Sequence, residues 1–240
     1  LSGDTLGSGS TALGYQALAS QNFTTATNSH NTAVGMQSMA ALSTGVFNTT
    51  LGSASGQSVT TGEQNVLIGA QAGDALTDAD MNVAIGYLAL TADTKGSKSV
   101  AIGKEALATQ NLTTSTDTFN TAVGHNAGNS VTTGINNTLV GAKAGDALTD
   151  VDSNVAVGAD ALSTDTLGSR STAVGISALE VQNFTTATNS YNTAMGFNSG
   201  AAVTTGDRNT FVGALAGDAT DDGVGNTAVG YLALSANCGN

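Results

Sequence analysis

Aspartates recur in three short segments of this sequence, and carboxylate oxygens are the ligands that calcium prefers. The three segments contain Asp74, Asp78 and Asp80; Asp146, Asp150 and Asp152; and Asp218, Asp221 and Asp222. Their spacing matches neither the EF-hand loop nor the glycine-rich nonapeptide calcium repeat. We therefore predict solvated turns in which aspartate bonds to the local backbone, with calcium binding as the alternative, and we expect no metal and no cofactor.

The residue types give little support to catalytic chemistry. The two histidines, His30 and His125, occupy different positions of the repeat described below, and the sequence contains no nucleophile elbow, phosphate-binding loop or zinc motif. We predict no catalytic residues and no enzymatic activity. The enzymatic alternative is a polysaccharide-degrading tailspike, which needs a pair of carboxylates in a groove.

The charge balance narrows the possible partners. The chain has 18 acidic but only 6 basic residues and a net charge of −12, which argues against binding to nucleic acid and to anionic membrane surfaces. No apolar run approaches the roughly 18 residues that would span a bilayer. The single cysteine, Cys238, excludes a disulfide within one chain.

A repeat organises the entire sequence. Its motif is a polar residue, Thr or Val, a small residue, an aliphatic residue, Gly, two variable residues and then Ala or Ser, as in the segment that starts at Asn31. The motif occurs thirteen times, and successive motif glycines are 17 residues apart except at three places where they are 21 apart. A longer period of 72 residues, or four repeats, relates Gly14, Gly86, Gly158 and Gly230.

This repeat predicts an all-β fold, a parallel β-solenoid with one motif in each of thirteen rungs. The alternating, β-branched residues at the start of the motif favour a short strand, and the glycine favours a turn. We expect the small eighth residue to start a second strand, and the first-position asparagines to stack as a ladder. The solenoid should cover residues 1–240 as one domain, and we expect it to be part of a longer fibre.

The motif strand is apolar on both faces, which predicts that both faces are covered. We assign the aliphatic fourth position to the core of the coil and the third position to an interface with further copies of the chain. The third-position residues predicted to form this interface are Ala33, Leu67, Ala84, Ala101, Ala122, Leu139, Ala156, Ala173, Phe211 and Ala228. In the 21-residue rungs, residues 21–24, 110–113 and 182–185 should bulge outward and offer lateral contacts.

The motif Asn-Thr-Ala-Val-Gly-x-x-Ala resembles the head repeats of trimeric autotransporter adhesins and related repeats in the fibres of tailed phages. The resemblance implies a left-handed β-roll, a homotrimer, and a location on the virion surface or outside the cell. The expected function is a structural fibre segment, either the shaft of a phage tail fibre or a fibre that binds a glycan or protein receptor on the host. The alternatives are a bacterial adhesin head, a self-assembling extracellular filament and the tailspike.

Overall fold

The structure, a computed structural model, describes residues 3–236. In this range the chain is all-β and contains no helix. It divides into two compact units, Leu1–Phe119 (unit 1) and Asn120–Asn240 (unit 2). The strands of unit 1 are β1 Gly7–Ser8, β2 Thr11–Leu13, β3 Thr27–Asn28, β4 Thr32–Val34, β5 Thr49–Leu51, β6 Val66–Ile68, β7 Val83–Ile85, β8 Gly96–Ser97, β9 Val100–Ile102 and β10 Thr116–Asp117. Those of unit 2 are β11 Thr121–Val123, β12 Thr138–Val140, β13 Val155–Val157, β14 Gly168–Ser169, β15 Thr172–Val174, β16 Thr188–Asn189, β17 Thr193–Met195, β18 Thr210–Val212 and β19 Thr227–Val229.

Each three-residue strand covers positions two to four of one motif and pairs in parallel with the strand of the next rung. In unit 1 the order is β2-β4-β5-β6-β7-β9, and in unit 2 it is β11-β12-β13-β15-β17-β18-β19. Equivalent motif positions face each other across every pair, as Leu67 does with Ala84. The predicted parallel β-solenoid with one motif per rung is therefore confirmed, with six rungs in unit 1 and seven in unit 2.

The two faces of the motif strand are used the opposite way from the sequence-based prediction. The third position points into the coil, and the fourth points away from it. The side chains assigned to a chain–chain interface are buried within the single chain, with 6% exposure at Ala228 and none at Ala33, Leu67, Ala84, Ala101, Ala122, Leu139, Ala156, Ala173 and Phe211. That assignment is wrong, because a side chain without accessible surface cannot contact another molecule. The path of the coil, and not the size of the residue, decides this orientation, because Phe211 is enclosed although it is larger than the outward-facing Val212.

Large third-position residues need glycines beside them. A Cβ atom added to Gly56 would lie 2.8 Å from Leu67 Cδ1, and one added to Gly73 would lie 2.9 Å from Leu67 Cδ2. Both glycines have φ near +57°, which also disfavours side chains. Phe211 occupies the same kind of space in unit 2. Gly56 and Gly73 are the ninth residues of their motifs, a position that alternates in pairs between glycine and a larger residue such as Leu90. This alternation therefore follows the sizes of the third-position side chains.

The eighth residue does not start a strand, although it is small and buried as expected. Ser38 lies in a turn between Gln37 and Met39, which have φ values of 57° and 45°. These left-handed residues send their N–H groups to different rungs: Gln37 donates to the carbonyl of Tyr15 at 2.8 Å, and Met39 donates to that of Ser55 at 3.0 Å. The prediction of a second strand here is wrong because this corner is held by stacked turns, whose backbone groups still find partners.

First-position asparagines form the ladder expected from the sequence. Asn48 Oδ1 accepts a hydrogen bond from the backbone N–H of Asn65 at 2.9 Å, and Asn48 Nδ2 donates to the carbonyl of Gly62 at 2.8 Å. Asn154 bonds in the same way in unit 2. Each buried amide is thus satisfied at both ends, and it links one rung to the next.

The 21-residue rungs do not place their extra residues where the sequence suggested. Gln110 and Leu112, which were predicted to project outward, are buried, whereas Asn111 and residues 113–115 are exposed. Residues 24–26 and 185–187 are exposed in the equivalent rungs. The prediction is wrong for the glutamine and the apolar residue of each segment, because these two side chains pack into the coil. The rung then gains a two-residue strand, as in the pairing of β8 with β10.

Candidate functional site

The outward face of the strands is an apolar surface that each unit leaves exposed or half-exposed. In unit 1 it carries Leu13, which is 66% exposed, and Leu51, which is 49% exposed. In unit 2 it carries Met195 at 45% and Val229 at 69% exposure. These are fourth-position residues, and every other rung has Val or Ile there. The second position adds Thr or Val to the same face, so the column contains no charged residue.

Aromatic residues at the sixth position extend this apolar surface on one side. Tyr15, Tyr87, Phe197 and Tyr231 are all exposed, and each follows the motif glycine directly. Soluble monomers rarely leave contiguous apolar patches of this kind exposed, and such patches usually mark interfaces. The outward face therefore has the character of a contact surface, whereas the third position does not.

The aspartates of unit 1 that were considered for calcium instead bond to neighbouring protein groups. Asp74 Oδ1 accepts from the hydroxyl of Thr91 at 2.5 Å, and Asp80 Oδ1 accepts from the backbone N–H of Glu63 at 2.8 Å. Asp78 accepts from the adjacent Thr77 hydroxyl. Each carboxylate therefore has a separate structural partner, which belongs to a neighbouring rung for Asp74 and Asp80 and to the same turn for Asp78.

In unit 2, Asp150 accepts from Thr133 at 2.6 Å and Asp152 accepts from the backbone N–H of Ile135 at 2.8 Å. Burial raises the pKa of Asp146, although the nearby Lys143 acts in the opposite direction. Between residues 3 and 236, no group of three or more His, Cys, Asp or Glu side chains is arranged to hold a metal ion.

The third aspartate segment lines a shallow groove of unit 2. Asp218 and Asp221 share this groove with Val181 and Thr204. Asp221 accepts a hydrogen bond from the Thr204 hydroxyl, whereas Asp218 Oδ1 is buried without a hydrogen-bond partner.

A buried aspartate–glutamine pair, which the sequence analysis did not identify, lies at the twelfth motif position. Asp165 is fully buried, and it accepts hydrogen bonds from the side chain of Gln182 and from the backbone N–H groups of Gly168 at 3.0 Å and Phe184 at 3.1 Å. Gln182 also donates to Ser171 Oγ at 3.0 Å. The same arrangement joins Asp93 to Gln110 in unit 1.

Burial raises the pKa of Asp165, and the hydrogen bonds from Gln182 and the backbone only partly oppose this effect. Both carboxylate oxygens are engaged by structural donors, so neither is available to a substrate. The role of this pair is therefore structural, because its hydrogen bonds stabilise the connection into the 21-residue rung. The signal that identifies it is a recurrent Asp-Thr-x-Gly-Ser segment, which starts at Asp4, Asp93 and Asp165 and precedes each long rung.

Comparison with known proteins adds no family to these observations. No protein-family model matches the chain, and no curated protein shows significant similarity to it. In the part of the chain that the structure describes, no helix is long and apolar enough to cross a membrane.

Proposed function

We propose that this chain is a structural fibre segment, the shaft or the receptor-binding part of a phage tail fibre on the virion surface. The observation that carries the proposal is the uniform stack of rungs within each unit, in which every strand bonds to its neighbours and an apolar outward face remains uncovered. Such repeat stacks gain stability from each added rung. A long extracellular fibre requires stability that increases with its length in this way.

The proposal includes self-association through the outward face. The exposed side chains of Leu51 and Met195 belong to apolar columns that a single coil leaves in water. Packing these columns against those of further copies would remove their apolar surface from water. The number three comes from the resemblance to trimeric adhesin heads, since the physical argument requires a partner but does not fix the number of chains.

Charge substitutions on the outward face test this assembly. We expect Leu51→Glu and Met195→Glu to convert the trimer into folded monomers, because a buried unpaired charge would oppose association. Gln64→Glu and Ser153→Glu, at exposed positions away from the column, are the matched controls and should remain trimeric. Sedimentation velocity gives the mass, and circular dichroism verifies the fold. A wild-type protein that is monomeric at micromolar concentration would refute self-association.

Labelling of native particles tests the location. Antibodies raised against the 240-residue protein should decorate the tail fibres of phage particles in electron micrographs of a producing culture. Label confined to the bacterial surface would overturn the proposal and support the adhesin alternative. The same images would distinguish both from an extracellular filament.

A further inference from the structure

The last residue of each rung forms a second column on the surface, which carries cationic and aromatic residues at several of its rungs. In unit 2 its members include Arg170, Tyr191 and Arg208, on successive rungs. All three have left-handed φ values, between 51° and 65°, and all three are exposed. Asn136 occupies the same position with φ of 60°, so the fold accepts a small residue there. The large side chains are therefore not required for the rung itself.

Three of the six basic residues of the chain lie in such columns, although its net charge is −12. The Arg170 guanidinium lies 5.7 Å from the centre of the Tyr191 ring, and its Nη1 atom donates a hydrogen bond to Tyr191 Oη at 2.7 Å. Tyr191 is still 50% exposed. A cation and a half-exposed aromatic ring are thus held together on an otherwise acidic surface.

Unit 1 contains a closely related pair that differs in one decisive respect. Lys98 lies 5.3 Å from the centre of the Phe119 ring, and its ammonium group forms a 2.5 Å ion pair with Asp117. The residue equivalent to Asp117, 72 positions later, is Asn189. Between residues 3 and 236, no carboxylate lies within ion-pair distance of Arg170. The positive charge is neutralised in unit 1 and left free in unit 2.

We infer that Arg170, Tyr191 and Asn189 form a binding site for an anionic saccharide, a sugar unit that carries a carboxylate. The guanidinium presents paired N–H donors that match a carboxylate. The ring offers an apolar face for the C–H groups of a pyranose, and the Asn189 amide can bond to sugar hydroxyls.

Arg208 lies one rung beyond Tyr191 and adds a second positive charge. Its guanidinium forms a 3.1 Å ion pair with Asp207. A polyanion of high charge density would be repelled by the acidic chain, whereas a glycan with one carboxylate per repeat would not. This inference rests on the proposed receptor-binding role of the fibre, and it names the class of receptor.

Titration calorimetry at low salt with the 240-residue protein provides the test. The probes are a sialic-acid oligosaccharide, a glucuronic-acid oligosaccharide, a neutral malto-oligosaccharide and an oligo-glutamate peptide. We expect binding to at least one acidic oligosaccharide. We expect Arg170→Asn to weaken that binding about tenfold or more, since a hydrogen bond to a charged group is lost. Comparing the sialic-acid and glucuronic-acid oligosaccharides shows which of these two acidic sugars supplies the carboxylate.

Two further variants make the test specific. Asn189→Asp recreates the acidic neighbour of unit 1 and should weaken binding as strongly as Arg170→Asn, without altering the ring. Lys98→Asn, at the neutralised site, should leave binding unchanged. Circular dichroism must show that each variant is folded, as expected for exposed positions.

The inference is overturned if neither acidic oligosaccharide binds, if Arg170→Asn binds as the wild type does, or if oligo-glutamate binds equally well. Failure of this kind leaves the fibre assignment intact, because particle labelling and sedimentation do not depend on the saccharide. Conversely, saccharide binding by a chain that labels only the bacterial surface would retain the site and reject the phage fibre.

Discussion

Two neighbouring rungs of unit 2 fill the same buried position, one with an apolar and the other with a polar side chain. At the twelfth motif position, one rung buries Leu148 and the next buries Asp165. The leucine fills the corner by apolar contact and allows a 17-residue rung. The aspartate fills it with hydrogen bonds to Gln182 and the backbone, and the 21-residue rung follows. The backbone path thus tolerates a buried charge only where donors from the following rung are supplied.

The largest effect on the free energy of unfolding should come from placing an aspartate at the apolar twelfth position. Leu148→Asp would bury a carboxylate without the glutamine and the long rung that support Asp165. We expect a loss of about 4 kcal/mol in the free energy of unfolding. Leu148→Val is the control at the same site and should cost about 1 kcal/mol. Chemical denaturation measures both values, and a cost below that of the valine variant would contradict the comparison.

Removing the donor from the polar corner should cost less. Gln182→Leu leaves one oxygen of Asp165 without its side-chain partner while the backbone donors remain. We expect a loss of about 2 kcal/mol in unfolding free energy. Gln71→Leu, at an exposed position, should change it by about 0.5 kcal/mol at most. Equal effects of the two substitutions would show that the buried pair adds nothing to stability.

Acidity should affect the polar corner in a defined direction. Because burial raises the pKa of Asp165 above its unfolded value, the folded state binds the proton more tightly. Its contribution to stability therefore rises as the pH falls through the folded pKa toward the unfolded value near 4. As the pH falls from 7 to 4, the unfolding free energy of the wild type should rise relative to that of Asp165→Asn. A fall of the wild-type value relative to the variant would contradict the prediction.

Asp4 occupies the equivalent position ahead of the first rung and should behave in the opposite way. Burial acts against its ionisation, but hydrogen bonds from Gln21 and from backbone N–H groups, including that of Gly7, lower its pKa overall. Its contribution to stability is therefore present above the unfolded pKa and is lost as the pH falls through the lowered value. In the same titration, the difference between wild type and Asp4→Asn should shrink on acidification, and growth of that difference would contradict the prediction.

The smallest effect concerns the left-handed residues at the seventh motif position, which lie outside both corners. Ser177 has φ of 55°, a conformation that asparagine adopts more readily than serine. We expect Ser177→Asn to raise the unfolding free energy by about 0.5 kcal/mol. Thr164→Asn, at an exposed residue outside this conformation, is the control and should not stabilise the protein. Denaturant midpoints measured for the two variants check this difference.

The sequence allowed the fold to be predicted but not the use of its two strand faces. Period, glycine spacing and the recurrent Asn48-type residue indicate a stacked parallel coil. In contrast, Ala84 and its aliphatic neighbour Ile85 are both apolar, so alternation alone cannot say which one points inward. The buried Asp165 was also missed, because its partner Gln182 is distant in sequence and belongs to the next rung.

The repeat alone was enough to predict the number of rungs, their strands and the asparagine ladder, because a strict repeat forces equivalent residues into register. The folded coil was needed to establish that the third position fills the interior and that the fourth faces outward. The folded coil also brings Arg170 against Tyr191, with no ion pair to a carboxylate among residues 3–236. These outcomes depend on the width of the coil and on contacts between residues about one rung apart. Such distances are set by the path of the whole rung and not by any local pattern.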